Sequence, residues 1–140
     1  MEYPAQFKRA PESEGGFVIT FRDIPEAITQ GDTEAEAMEM AEDVLLSAME
    51  IYIDENRKVP LPSAPKRGER MIALPPSAWA KVLLLNALID AKLRRVDLAE
   101  RMQTTRQEIN RLVDLHHATK IDRIAEAIAA TGKHLELRVA

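Results

Sequence analysis

The sequence predicts an α+β protein in two parts: a small sheet with one covering helix over residues 1–75, and a helical part over 76–140 that ends in one short strand. Three observations predict it. Apolar residues alternate with polar ones at Tyr3, Ala5 and Phe7 and again at Phe17, Ile19 and Phe21, the period of half-buried strands. From Met38 onward the apolar residues recur three or four apart, the period of helices. Late in the first part, residues 56–69 carry Pro60, Pro62, Pro65 and Gly68 with four basic residues, the text of an extended connector.

The first two strands form a hairpin around Glu14-Gly15-Gly16, and Ala27-Ile28-Thr29 can add a third strand beyond the Pro25 break. Thr33 and Glu36 are spaced as a capping box, opening a helix whose inner stripe is Met38, Ala41, Leu45, Ala48 and Tyr52. Its outer side carries Glu36, Glu39, Asp43, Glu50 and Asp54 in a row. Met71 to Leu74 reads as a fourth strand, ended by Pro75-Pro76. Ser77 can then cap a helix running to about Ala91, whose Val82, Leu84, Leu85, Leu88 and Ile89 leave it no polar side, so other elements must surround it.

Beyond that helix, Leu98, Ala99 and Met102 mark one short helix and Ile109, Leu112 and Val113 another. Thr105 and Glu108 form a second capping box, which leaves Arg106, Gln107, Asn110 and Arg111 pointing outward. Arg pairs with guanine acceptors, and Gln or Asn with adenine, so this helix can read base edges. The segment resembles the helix-turn-helix of phage repressors in its Leu98-Ala99, Met102, Thr105, Ile109 and Leu112; Gln103 stands where that pattern has glycine, which implies a mildly strained or altered turn. Thr119 and Lys120 follow as candidate phosphate contacts. Thr119 and Asp122 can open a last helix through Ile121, Ile124, Ala125 and Ile128 to Gly132. Leu135, Leu137 and Val139 then alternate as a strand that could be satisfied by pairing with a second copy, making a homodimer or a dimer of dimers.

Charge divides with the parts. Residues 1–75 hold 8 basic against 15 acidic side chains, a net of −7, and residues 76–140 hold 11 against 8, a net of +3, within a total of −4. The basic part suits a polyanion and the acidic part a basic protein. With no cysteine, disulfides and thiolate metal sites are excluded. No leader is expected from Met1-Glu2-Tyr3-Pro4, and the apolar run Val82 to Leu85 is too short to span a bilayer, so a cytoplasmic protein without membrane contact is expected.

In order along the chain, Tyr3-Pro4, Glu14 to Phe17, Phe21 to Pro25, Thr29 to Thr33 with Glu36-Ala37, Val59 to Ser63, Lys81 to Asn86 and Leu115 to Asp122 are similar to the HicB antitoxins, partners of HicA toxins. Many members carry Gly-Cys after the proline of the third-strand turn, where this chain has Glu26-Ala27. The resemblance implies a partial ribonuclease-H-like first domain that binds the small mRNA-cleaving toxin, and a DNA-binding second domain that represses its own operon. It implies no enzyme activity and no cofactor. On that reading the acidic row from Glu36 to Asp54 is a candidate toxin contact, and Leu135, Leu137 and Val139 are candidate dimer contacts.

Two other functions remain in the sequence. A stand-alone repressor would sense a ligand with its first domain instead of a toxin. A ribonuclease-H-like nuclease would need carboxylates converging on two metal ions, yet the strands Tyr3 to Arg9 and Phe17 to Phe21 hold no acid, and only Asp23, Asp32, Glu36 and Asp43 lie near the sheet end. His116-His117 does not make a metal site, since neighbouring helical residues diverge and no cysteine completes a set. Trp79 is expected in the core or a dimer contact rather than as a stacking platform.

Overall fold

The computed structural model describes residues 1–11 and 15–140, so Glu14 of the expected hairpin turn lies outside the described residues. The elements run β1 (Glu2–Arg9), β2 (Phe17–Thr20), β3 (Ile28–Gly31), α1 (Glu34–Asp54), β4 (Arg70–Ala73), α2 (Pro76–Asp90), α3 (Arg95–Met102), α4 (Arg106–Val113) and α5 (Ile121–Ala130). They group into two compact units, one of Met1–Ile51 with Pro60–Leu74, the other of Tyr52–Val59 with Pro75–Ala140. The end of α1 and the four residues before Pro60 therefore group with the helical unit.

In the first unit the four strands form one antiparallel sheet in the order β3-β2-β1-β4. The register sets Phe7 opposite Ile19 and Tyr3 opposite Ile72, so the alternating apolar residues share one face. Tyr3, Ala5, Ile19 and Ile72 on that face are buried, as are Ala37, Ala41, Leu45, Ala48 and Met49 of α1. Met38, expected in the stripe, is only half-buried. Pro4 is tolerated near the sheet centre because β2 pairs with β1 only from Gln6 onward, so beside Pro4 the sheet has a single neighbour, β4.

The Thr33 cap forms with a shifted box. The amide of Glu36 donates to Thr33 Oγ1 at 3.1 Å, while the Glu36 carboxylate accepts from the amide of Asp32 at 3.3 Å rather than from that of Thr33. The proline stretch is fastened residue by residue. Tyr3 donates its hydroxyl proton to the carbonyl of Pro60 at 2.6 Å. Asp23 takes both the amide of Ser63, at 2.9 Å, and its hydroxyl. Arg22 forks onto both oxygens of Glu69, at 2.9 and 3.0 Å, and onto the carbonyl of Ala64. These contacts return the chain to the sheet edge, where β4 begins.

The second unit is built on α2. Ala78, Ala80, Val82, Leu84, Leu85, Ala87 and Leu88 are all buried, and α2 packs against α4 and α5 while α3 packs against the same two helices. The helix starts two residues earlier than the expected Ser77 cap: Pro75 is the N-cap and Pro76 the first helical residue, where a proline loses no hydrogen bond. Helix α3 starts at a cap the sequence reading missed, with Asp97 accepting from the amide of Arg94 at 2.9 Å. Gln103 ends it at φ 52°, the left-handed conformation that glycine occupies without strain. Met102, expected on its apolar face, is half-buried.

Helix α5 begins at Ile121 with Lys120 as N-cap, so Thr119 does not cap it, and the Thr119 hydroxyl is buried without a hydrogen-bond partner. After Gly132 no regular element follows. The expected terminal strand is absent from the single chain: residues 133–140 run without a ladder, and Leu137 and Val139 are 76% and 99% exposed. An alternating segment has no strand to be until another strand lies beside it.

One close approach locks the sheet to α1. A Cβ on Gly31 would stand 2.6 Å from the amide nitrogen and 2.7 Å from the Cα of Ala37, both backbone atoms that cannot yield cheaply. Gly31→Ala is expected to destabilise the first unit by about 1–3 kcal/mol, the usual cost of overpacking, read as a lower urea midpoint at unchanged slope.

Candidate functional site

Helix α4 is held on one side and open on the other. Ile109, Leu112 and Val113 are buried, whereas Arg106, Gln107, Asn110 and Arg111 are exposed and spread over about 140° of the helix at 3.6 residues per turn. The Thr105 cap is present, its Oγ1 accepting from the amide of Glu108 at 3.2 Å. The box is left half-made. The Glu108 carboxylate turns to the Thr104 hydroxyl and to Arg123 Nε at 2.6 Å, tying the start of α4 to α5 instead of to its own cap.

The exposed residues fall on two flanks. Thr105, Gln107, Arg111, Thr119 and Lys120 line one open hollow of about 460 Å³ between the starts of α4 and α5, with His117 and Arg123. Arg106 lines a different hollow of about 650 Å³ with Lys92, Arg94 and Arg95 over an apolar floor that includes Leu85 and Leu88. Asn110 sits toward that second flank, where its Oδ1 accepts from Arg95 Nη1 at 3.1 Å. An arginine has only donors, so the amide oxygen must face it, leaving the Asn110 N–H groups as the outward-facing donors.

Arg95 and Arg123 were not singled out by sequence reasoning, and Lys81 entered only as the start of the family-like stretch Lys81 to Asn86. Lys81 did carry a signal, being a lysine inside the most apolar helix of the chain. Only 1% exposed, its ammonium donates to the carbonyls of Arg111, Asp114 and His117 at 3.0, 2.8 and 2.5 Å. Burial pulls it below the ordinary lysine range, and the nearby charge of Asp114 opposes that pull. The second buried polar residue of α2, Asn86, binds both main-chain groups of Val59, accepting at 2.8 Å and donating at 3.0 Å.

In the first unit, Glu36, Glu39 and Asp43 are exposed along one side of α1 and Glu50 is half-buried. Asp54, also exposed, lies in the last turn that groups with the second unit. Glu36 is partly committed to its capping bond. Leu135 is half-buried, unlike Leu137 and Val139. No helix among the described residues is long and apolar enough to cross a membrane.

A family model described as the HicB_like antitoxin of bacterial toxin-antitoxin systems matches residues 2–83. The chain is 48% identical over 137 residues to Antitoxin HicB of Escherichia coli K12, covering 98% of both. It is 45% identical over 139 residues to Antitoxin HicB 1 of Photorhabdus laumondii, covering 99% of this chain and 87% of that one. Against Antitoxin HicB of Pseudomonas fluorescens it is 33% identical over 129 residues, covering 91% of this chain and 88% of that one. This chain belongs to the HicB-like antitoxin family.

Within that family model the match takes in the whole sheet, α1, the fastened proline stretch and the first half of α2 as far as Leu83. It stops before α3 and α4. The exposed face of α4 is therefore covered by the likeness to full-length antitoxins and not by the family model itself.

The Glu108 pair has a consequence in acid. Hydrogen bonds from Arg123 and then Thr104 hold the Glu108 carboxyl below the usual glutamate range. A carboxyl depressed on folding contributes stability that is present above its unfolded pKa of about 4.3 and is lost as pH falls through the lower folded value. Thermal melts from pH 7 down to pH 3 are expected to show an acid limb that Glu108→Gln flattens. An unchanged limb in the variant would assign acid sensitivity to other carboxylates.

Proposed function

We propose that this antitoxin binds and neutralises a HicA-type mRNA-cleaving toxin through its first unit and represses its own operon through its second, without being an enzyme itself. Membership of the antitoxin family supports the toxin-binding half. The observation that carries the DNA-binding half is α4 itself. It is a Thr105-capped helix with one face packed by Ile109 and Leu112 and four side chains of base-reading types on the other, in a part of the chain with net charge +3. We further propose that the sheet and α1 form the partial ribonuclease-H-like domain and that α3 and α4 form the helix-turn-helix, with domains divided near residue 75.

In this reading Arg106, Gln107, Asn110 and Arg111 meet base edges and Thr105 and Lys120 meet phosphates, while the buried hydroxyl of Thr119 takes it out of the expected phosphate contacts. Asn110 enters as a donor because Arg95 occupies its oxygen. It would then favour a base with an acceptor facing it, such as guanine N7 or O6, over the paired donor and acceptor of adenine. The acidic side of α1 would speed capture of a basic toxin and compete with its RNA. Leu135, Leu137 and Val139 would form their strand only against a second copy, giving two reading helices at a fixed spacing and an operator that is an inverted repeat.

Arg106→Ala with Gln107→Ala is expected to cost about 1–3 kcal/mol per lost base contact on operator DNA in a gel-shift titration, with relaxed base preference, while Lys120→Ala weakens all DNA about equally. Operator affinity unchanged in the double variant would remove α4 from the reading. On the toxin side, Glu39→Lys with Asp43→Lys is expected to slow association with purified toxin tenfold or more at low salt and much less at high salt. A rate indifferent to both would place the toxin contact elsewhere on the first unit.

A further inference from the structure

The ammonium of Lys81 is buried in the helical unit and all three of its N–H bonds end on main-chain carbonyls. Burying a charge is expensive unless every donor is satisfied, so a lysine kept here must do something that an apolar side chain of its size would not. Its acceptors show what that is. Arg111 belongs to the last turn of α4, Asp114 is the C-cap of α4, and His117 lies in the turn that leads to α5. The carbonyls of Arg111 and Asp114 also accept from the amides of Asp114 and His117, at 3.3 and 3.2 Å, so Lys81 adds a second bond to each and brings a positive charge to the negative end of the helix dipole.

The same segment carries the outward contacts. Arg111 offers its carbonyl to Lys81 while its side chain lines the hollow shared with Gln107, Thr119 and Lys120. Lys120 comes three residues after His117, whose carbonyl Lys81 also holds. One atom on α2 therefore ties together the end of α4 and the turn before α5.

We propose that Lys81 is a positioning residue for DNA reading: its ammonium fixes the end of α4 and the 114–117 turn in one register, so that Gln107 and Arg111 reach bases while Lys120 reaches a phosphate of the same duplex. This rests on α4 being the DNA reader. The anchor itself is independent of that reading and is tested apart from it.

The test uses the full chain and Lys81→Met, which keeps the length of the side chain and removes its donors. Hydrogen exchange without DNA reads the anchor: amides of residues 114–120 should exchange at least tenfold faster in the variant, while those of Ile124 to Ile128 keep their protection. Unchanged exchange at 114–120 would overturn the proposal. If the variant does not fold, nitrogen-detected spectra of the wild-type lysine ammonium groups decide the same point, because a fully bonded Lys81 Nζ should exchange slowly near neutral pH and a missing slow signal would overturn the anchor.

Binding to the duplex upstream of the gene, compared with an unrelated duplex of equal length, reads the positioning. The variant should lose at least tenfold on the upstream duplex and less than twofold on the unrelated one, with Lys81→Arg recovering part of the loss and toxin neutralisation unchanged. Equal loss on both duplexes, or none well below the melting temperature, would make Lys81 a merely structural residue. A wild-type protein that does not distinguish the two duplexes would sink the DNA-reading role, and with it the positioning role, while the exchange result still stands for the anchor.

Discussion

Helix α2 has no polar side, and the helical unit is organised around the need to cover it. Its buried residues occupy nearly every position from Ala78 to Leu88, so α4 and α5 must close over it before any outward surface exists. The two polar side chains in that stretch are buried too, and neither is paired with another side chain in the bonds they make. Lys81 ends on the carbonyls of Arg111, Asp114 and His117, and Asn86 on both main-chain groups of Val59. Lys81 thus ties the end of α4 and the turn after it to α2, and Asn86 ties the backbone of Val59 to the same helix. Apolar burial supplies the affinity for α2, and these two residues supply the register.

The first unit solves a related problem with side chains of the sheet and its turns. A stretch with three prolines cannot form a strand or helix, so its backbone groups need side chains as partners. Arg22 and Asp23, adjacent in the turn after β2, take Ala64, Glu69 and Ser63 between them, and Tyr3 takes Pro60. The proline stretch is accordingly a fitted part of the sheet unit from Pro60 onward rather than a free tether. Gly31, at the end of β3, gives the close approach that lets α1 begin directly beside the sheet.

The outward chemistry follows from how these anchors leave α4. Its packed face is fixed by Ile109 and Leu112, its start by Thr105 and by the Glu108 link to Arg123, and its end by Lys81. What remains free to meet a ligand is the arc from Arg106 to Arg111. The α1 carboxylates form a charged side of a helix, and charge of that kind governs encounter more than fit.

The sequence alone determined what depends on local period and local chemistry. The strand alternation, the helical stripes, the Thr33 and Thr105 caps, the strained turn at Gln103 and the outward set on α4 are all readable because each is decided by residues within a few positions of one another. The family too was legible, from the order of short motifs. Tertiary structure decided everything that joins distant residues. It turned Glu108 from its own cap to Arg123, faced the oxygen of Asn110 to Arg95, left the Thr119 hydroxyl buried instead of capping α5, and set Lys81 against carbonyls about thirty residues away. It also left Leu135, Leu137 and Val139 without a strand, because alternation records which face a strand would bury, while a ladder exists only where a second backbone supplies its hydrogen bonds.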